Sequence, residues 1–180
     1  MGFLNVGFFG GSFDPPHKGH EEIASMAIDL LELDILYICP AGGVTEKKKP
    51  AASSYKKRLQ MTNQTFSSLP KAKVVNWEQG KVPSYTYDTV ASLIERKKTP
   101  TNYFVIMGAD SFLNIRSWKK YEQLCSLVKI AVFPRKGISD QLVKGFTNDL
   151  KQTSSCFDKL VFVEKDVSNI SSSEIRKKIQ

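Results

Sequence analysis

Two histidines lie three residues apart in the segment 10–20, which reads GGSFDPPHKGH. His17 and His20 are the only histidines in the 180 residues, and their spacing at a helix entry lets both point to one side. Gly10 and Gly11 let the backbone turn sharply and let a ligand come close. A helix that begins after them offers free N–H groups and the positive end of its dipole. The segment is therefore predicted to bind phosphate.

This segment lies between an apolar run at 3–9, typical of a buried parallel strand, and a helical pattern at 21–33. In the helix predicted at 54–66, Leu59 and Met61 are expected to point inward, and the orientation of Arg58 is left open. Strands and helices alternate along the chain, which predicts a parallel α/β sheet. The further strands are predicted at 34–40, 72–77, 102–107, 129–133 and 160–163, and the further helices at 54–66, from 83, at 121–128 and at 139–150.

The length is that of one domain, predicted over residues 1–180. No apolar run approaches the ~18 residues of a membrane span, and the N-terminus shows no secretory signal, so no membrane partner is expected. Cys39, Cys125 and Cys156 are far apart and odd in number, which favours a reducing, cytoplasmic compartment over a disulfide frame or zinc site. The net charge of +8 suits polyanions, either nucleic acid or charged nucleotides.

Two further positions combine residue types that bind nucleotides. Gly108 and Asp110 follow a predicted strand, where a glycine and a carboxylate indicate either a ribose-binding corner or a plain turn with an N-cap. Trp118 lies between Arg116 and Lys119, so it is either a core residue or a partly exposed ring that stacks on a base.

Two basic segments remain ambiguous on the residues alone. The lysines at 47–49 belong either to a solvated loop or to a phosphate contact at a strand end. Ser171 and Glu174 form a capping box, which predicts a terminal helix. With Ser172 and Arg176, the same segment also suits an anion site.

Several motifs agree in order along nearly the whole chain, and together they resemble the nicotinate mononucleotide adenylyltransferases of the nucleotidylyltransferase superfamily. The resemblance implies a Rossmann-like, open, mostly parallel sheet with helices on both faces. It also implies that ATP and nicotinate mononucleotide react to give deamido-NAD and pyrophosphate. The motifs are GGSFDPPHKGH at 10–20, PSYTYDT at 83–89, GAD at 108–110 with Trp118 after it, VFPR at 132–135 and ISSSEIR at 170–176.

The resemblance also implies roles for individual residues, with His17, His20 and Arg176 as catalytic groups. The family commonly has Pro-Pro-His-Lys after the second strand, whereas this chain has Lys48 in place of the histidine and Lys49 in the lysine position. The residues assigned to ATP are Gly10, Gly11, Ser12, Phe13, His17, His20, Gly108, Asp110, Ser172 and Arg176, and those assigned to the mononucleotide are Thr86, Trp118, Lys49 and Arg135.

The expected chemistry is in-line attack of the mononucleotide phosphate on the α-phosphorus of ATP. That phosphate is already ionised near neutral pH, so catalysis rests on positioning and charge stabilisation rather than on a general base. Mg²⁺ is expected to bridge the ATP phosphates, without a dedicated metal site on the protein.

Three alternatives stay open at this point. The acceptor could be nicotinamide mononucleotide, or the chain could be a sister enzyme such as a phosphopantetheine adenylyltransferase or a cytidylyltransferase. The charge also suits a nucleic-acid-binding protein, although no helix-turn-helix, RNP or zinc signature is present and no nucleic-acid partner is expected. The sequence leaves open whether the protein forms a homo-oligomer.

Overall fold

The computed structural model describes residues 3–43, 51–96, 99–135, 137–153 and 159–163. These residues form six strands and six α-helices, with one turn of 3₁₀ helix at Ile115–Ser117. The strands are β1 (Leu4–Gly11), β2 (Ile35–Pro40), β3 (Ala72–Val74), β4 (Thr101–Gly108), β5 (Lys129–Phe133) and β6 (Val161–Phe162). The helices are α1 (Lys18–Leu30), α2 (Tyr55–Phe66), α3 (Thr86–Glu95), α4 (Ala109–Phe112), α5 (Tyr121–Leu127) and α6 (Asp140–Thr153).

All six strands join one sheet in the order β3-β2-β1-β4-β5-β6, and every described pair is parallel. This is the strand order of a doubly wound Rossmann-type sheet, so the predicted Rossmann-like α/β fold is confirmed. Because the strands are parallel, their carboxyl ends lie along one edge. Among the described residues, no helix combines the length and the hydropathy that crossing a bilayer requires.

Two apolar layers cover the two faces of the sheet, because successive strand side chains alternate between faces. On one face, Phe8 and Val105 belong to the core cluster that includes α3, α5 and α6. On the other face, Phe9 and Ile106 belong to the cluster that includes α1 and α2. The expectation of helices on both faces is therefore confirmed.

Several predicted boundaries differ from the structure, among them the start of α3 at Thr86 rather than at residue 83 and the end of α6 at Thr153 rather than at residue 150. Helix α1 begins at Lys18 rather than at residue 21, which brings His20 into its first turn. Strand β3 ends at Val74 rather than at residue 77. Beyond it the chain turns, and Trp77 packs on Tyr37 with ring centroids 4.7 Å apart instead of continuing the ladder.

The buried face of α2 also differs from the prediction. Arg58, Thr62 and Phe66 are its buried residues, whereas Leu59 and Met61 are only partly buried. A charged side chain can occupy the inner face here because its guanidinium donates to backbone carbonyls, which offsets the loss of water.

We expect two glycine substitutions to change stability in opposite directions. A Cβ on Gly7, in the middle of β1, would lie 2.7 Å from Leu33 and 2.8 Å from Leu36, whereas a Cβ on Gly145 of α6 meets nothing within 4 Å. Overpacking should make Gly7→Ala less stable by about 1–3 kcal/mol. Helix propensity should make Gly145→Ala more stable by about 0.5–1 kcal/mol.

Urea unfolding of both variants against the unchanged chain measures the difference. A Gly7→Ala protein at least as stable as the unchanged chain would contradict the close packing described around β1.

Candidate active site

A gap opens between the two central strands, where the strand order changes direction. The ladder between β1 and β4 ends at the pair Phe9–Ile106. By contrast, β1 stays paired with β2 as far as Gly11, and β4 stays paired with β5 as far as Gly108. The last two residues of β1 and β4 therefore separate at the carboxyl edge. Open α/β sheets bind their ligands in this position.

The two histidines lie beside this gap. His17 is the N-cap residue of α1, and His20 lies in the first turn. The backbone N–H of His17 donates to Nδ1 of His20 at 3.2 Å, and the ring centroids are 3.8 Å apart. The expectation that both rings point to one side is confirmed. The His20 ring also packs edge-on against Phe13, with a centroid separation of 5.2 Å.

These contacts define the protonation state of His20. Because Nδ1 accepts a hydrogen bond, the proton of the neutral ring lies on Nε2. The pKa of His20 is lowered to about 2, mainly by burial and to a smaller extent by the neighbouring His17 and Arg135. At neutral pH, His20 is thus an uncharged hydrogen-bond donor.

Asp110 and Arg135 meet across the ends of β4 and β5. Arg135 Nε lies 3.5 Å from Asp110 Oδ1. A Cβ on Gly108 would come within 2.5 Å of the same carboxylate oxygen, so a glycine leaves room for this carboxylate. The charge of Arg135 is also one of the causes that lower the pKa of His20. The pairing of Asp110 with Arg135 was missed at the sequence level, where Asp110 was assigned to ATP and Arg135 to the mononucleotide.

The loop that follows β1 presents backbone rather than large side chains to the gap. Phe13 is only 1% exposed and packs edge-on against Phe9 and Phe66 in the core. Its φ of 45° lies in the left-handed region, which non-glycine residues seldom adopt. Any contact of Phe13 with a nucleotide would therefore use its backbone. Ser12 is exposed, and its part in ATP binding stays a prediction, as it does for Gly10 and Gly11.

A second group of predicted residues gathers at the start of α3. Thr86 is the first residue of this helix, and Trp118 is partly buried against the adjoining core. Lys119 Nζ lies 2.9 Å from Asp88 Oδ2 and 4.6 Å from the ring centroid of Tyr85. These contacts hold the segment after Trp118 to the first turn of α3. The structure thus places two of the four predicted mononucleotide residues, Thr86 and Trp118, on neighbouring segments, whereas Arg135 pairs with Asp110.

A buried polar cluster joins this second group to the end of β2. The N–H of Gly42 donates to Ser84 Oγ at 3.1 Å and to Glu78 Oε2 at 3.4 Å. Thr89 Oγ1 donates to the other oxygen of Glu78 at 2.9 Å. Sequence reasoning missed Glu78, because a single glutamate after a tryptophan carries no pattern. Ser84 belongs to the PSYTYDT motif, but the sequence does not indicate that it accepts a hydrogen bond from Gly42.

Three predicted site residues lie outside the described residues, namely Lys49, Ser172 and Arg176. The capping box at Ser171 and Glu174 lies there too. Within the described part of the chain, no group of three or more histidine, cysteine, aspartate or glutamate residues is arranged to hold a metal ion.

Comparison with known proteins is consistent with this geometry. The model of the cytidylyltransferase-like family matches residues 8–178. A Fusobacterium nucleatum protein named "Probable nicotinate-nucleotide adenylyltransferase" is 33% identical over 98% of this chain and 88% of its own. A Clostridium tetani protein of the same name is 33% identical over 96% of this chain and 85% of its own.

A solved structure is similar in fold. The Plasmodium falciparum nicotinic acid mononucleotide adenylyltransferase complexed with NaAD superposes with a TM-score of 0.77 at 20% identity, over 97% of this chain and 83% of that chain. At this identity, the likeness supports the Rossmann-like fold alone. The family model and the two bacterial relatives carry the assignment. The chain belongs to the cytidylyltransferase-like family, among the nicotinate-nucleotide adenylyltransferases.

Proposed function

We propose that the protein transfers the adenylyl group of ATP to nicotinate mononucleotide, giving deamido-NAD and pyrophosphate. The observation that carries this proposal is the gap between β1 and β4, with His20 packed against Phe9 at its edge and the Asp110–Arg135 pair beyond the ends of β4 and β5. It offers an uncharged donor, a cation and a carboxylate within one site, which suits the phosphates and the ribose of a nucleotide. Membership of the adenylyltransferase family selects the reaction.

The reaction is a direct in-line displacement. The 5′-phosphate of the mononucleotide attacks the α-phosphorus of ATP, the new P–O bond forms, and the bond to pyrophosphate breaks. The attacking phosphate is already ionised near neutral pH, so no side chain has to remove a proton. Catalysis then depends on alignment of the two substrates and on stabilisation of charge on the phosphoryl oxygens.

His17 and His20 would act on the α- and β-phosphates. His20 directs its Nε2 proton outward because Nδ1 is already engaged by the backbone of His17. A donor fixed in advance does not have to reorient as charge develops in the transition state. Arg135 adds a positive charge near enough to help lower the pKa of His20. Ser172 and Arg176 remain predicted contacts of the β- and γ-phosphates.

The sugar and the acceptor would bind on opposite sides of the reacting phosphate. We assign the ATP ribose to Gly108 and Asp110, because a carboxylate accepts hydrogen bonds from hydroxyl groups. The acceptor would bind at Thr86 and Trp118, with Lys49 as a predicted phosphate contact. Trp118 offers a partly exposed ring for stacking on the pyridine.

Mg²⁺ enters this proposal as part of the substrate. Carrying Mg²⁺ on its phosphates, ATP presents less negative charge to the attacking phosphate, and Mg²⁺ prefers phosphate oxygen and water ligands. Among the described carboxylates near the gap, Asp14 accepts from two backbone N–H groups and Asp110 faces Arg135. We also propose a cytoplasmic location, in keeping with the reducing environment that the cysteines favour.

The direct test of the function is turnover with MgATP and a panel of acceptors, followed by pyrophosphate release and by identification of the dinucleotide. We expect nicotinate mononucleotide to be used with the highest kcat/KM. Preferential use of nicotinamide mononucleotide or of phosphopantetheine would replace the acceptor in this proposal. Absence of turnover, together with salt-sensitive binding of DNA or RNA, would favour the nucleic-acid alternative.

Trp118 provides the sharpest variant for the same assay. If the ring stacks on the pyridine, Trp118→Ala should raise the KM for the mononucleotide about tenfold, because stacking contributes roughly 1–3 kcal/mol per base. The KM for ATP should change much less, and Trp118→Phe should fall between the two. A purely structural tryptophan predicts a stability loss of about 3–5 kcal/mol instead, with both substrates affected alike.

The protonation of His20 predicts a specific pH behaviour. Its folded pKa lies far below the unfolded value, so the unfolded chain binds a proton first as the pH falls. The contribution of this group to stability is thus complete above about pH 6.5 and is lost progressively below it. In NMR titrations of the free enzyme, the His20 Hε1 signal should show no inflection between about pH 5 and pH 8.

The same titration in urea provides the control, where His20 should titrate near pH 6.5. A folded-state inflection near that pH would mean that the ring is not the neutral donor described.

A further inference from the structure

Arg58 is buried beneath the site, with 4% of its surface exposed. Its Nη1 donates to the carbonyl of Ser12 at 2.8 Å, and its Nη2 donates to the carbonyl of Ala41 at 2.9 Å. Its Nε donates to the carbonyl of Ser53 at 3.4 Å. One side chain therefore joins three segments, those that follow β1 and β2 and the one that precedes α2.

Asp14 also contacts the segment before α2, where it accepts hydrogen bonds whereas Arg58 donates one. It is 3% exposed, and its Oδ2 accepts from the N–H groups of Ala52 at 2.6 Å and Ser53 at 3.2 Å. The segment before α2 is thus held by a carboxylate on its N–H groups and by a guanidinium on its carbonyl. Hydrogen bonds of this kind offset the cost of burying two charges.

The contacts of Arg58 also orient two peptide planes. In a trans peptide, the carbonyl and the following N–H point in opposite directions. The Ala41 carbonyl faces Arg58, and the N–H of Gly42 accordingly points away and donates to Ser84 Oγ. The Ser12 carbonyl faces Arg58 in the same way, so the N–H of Phe13 points away from it.

These two N–H groups belong to the two halves of the site. The N–H of Phe13 lies in the loop assigned to ATP. The N–H of Gly42 holds the end of β2 to the segment that leads into α3, where Thr86 is assigned to the mononucleotide. Arg58 therefore contacts the carbonyl before each of these N–H groups, one in each half of the site.

We propose that Arg58 is a positioning residue that aligns the ATP loop with the mononucleotide side of the site, without contacting either substrate. The inference rests on the proposed function for its kinetic consequence. Lysine cannot replace it, because one ammonium group cannot reproduce the planar fork that reaches carbonyls on separate segments.

The test compares Arg58→Lys and Arg58→Met with Lys57→Met, which removes an exposed charge from the neighbouring position of the same helix. Circular dichroism and thermal unfolding measure the folded fraction. Kinetics with each substrate varied then give kcat and KM per folded molecule. Amide ¹H–¹⁵N spectra report the environments of Phe13 and Gly42 without any need for turnover.

We expect folded Arg58→Lys to lose about 10- to 100-fold in kcat/KM for both substrates, because misplacement of about 1 Å has effects of this size. The amide signals of Phe13 and Gly42 should shift, and Lys57→Met should match the unchanged protein in every measurement. Normal kcat and KM in the folded fraction of Arg58→Lys would overturn the proposal, since a merely structural role changes only how much protein is folded.

A measurement on the unchanged protein covers the case in which neither variant folds. The Arg58 Nη–H signals should be resolved, and a non-hydrolysable ATP analogue should not displace them. A single averaged signal, or loss of the signals with the analogue, would overturn the proposal. If the unchanged protein turns over no acceptor, the proposed function fails, and unshifted Phe13 and Gly42 amides in folded Arg58→Lys would still overturn the role of Arg58.

Discussion

The site depends on the early end of the ladder between β1 and β4. Each strand keeps its other neighbour for two further residues, so the sheet opens at its centre while its sides stay paired. Gly11 and Gly108 end the two strands at this opening, and the segments that follow carry the histidines on one side and Asp110 on the other. A continuous ladder would bring the two strand ends together and close the gap in which we place the nucleotide.

Hydrogen bonds fixed by the fold then prepare this opening for a phosphate. His20 is held as a neutral donor by the backbone of His17 and by burial against Phe13. Arg58 plays a comparable part, because it orients the carbonyls of Ser12 and Ala41 and so turns the N–H groups of Phe13 and Gly42 away from itself. In both cases a buried polar group acts by fixing the direction of another, which is an efficient way to stabilise charge.

Local patterns predicted much of this structure. Apolar runs were sufficient to predict β1 and β4, and a spacing of three residues was sufficient to predict that His17 and His20 lie on one side. Both features depend only on residues that are near one another in the sequence. The end of the β1–β4 ladder was not predictable, since it depends on register between strands about 100 residues apart in the sequence.

Side-chain partners across the fold were equally hidden. Asp110 and Arg135 meet only because β4 and β5 are neighbours, and Arg58 is buried only because carbonyls from three segments surround it.

The most direct test of the gap between β1 and β4 as the nucleotide site is an amide titration of the ¹⁵N-labelled protein with a non-hydrolysable ATP analogue. The account predicts that Gly10, Gly11 and Gly108 shift most among the assigned amides near the sheet edge. Unchanged signals at these three glycines, with the largest shifts around the start of α3, would contradict it.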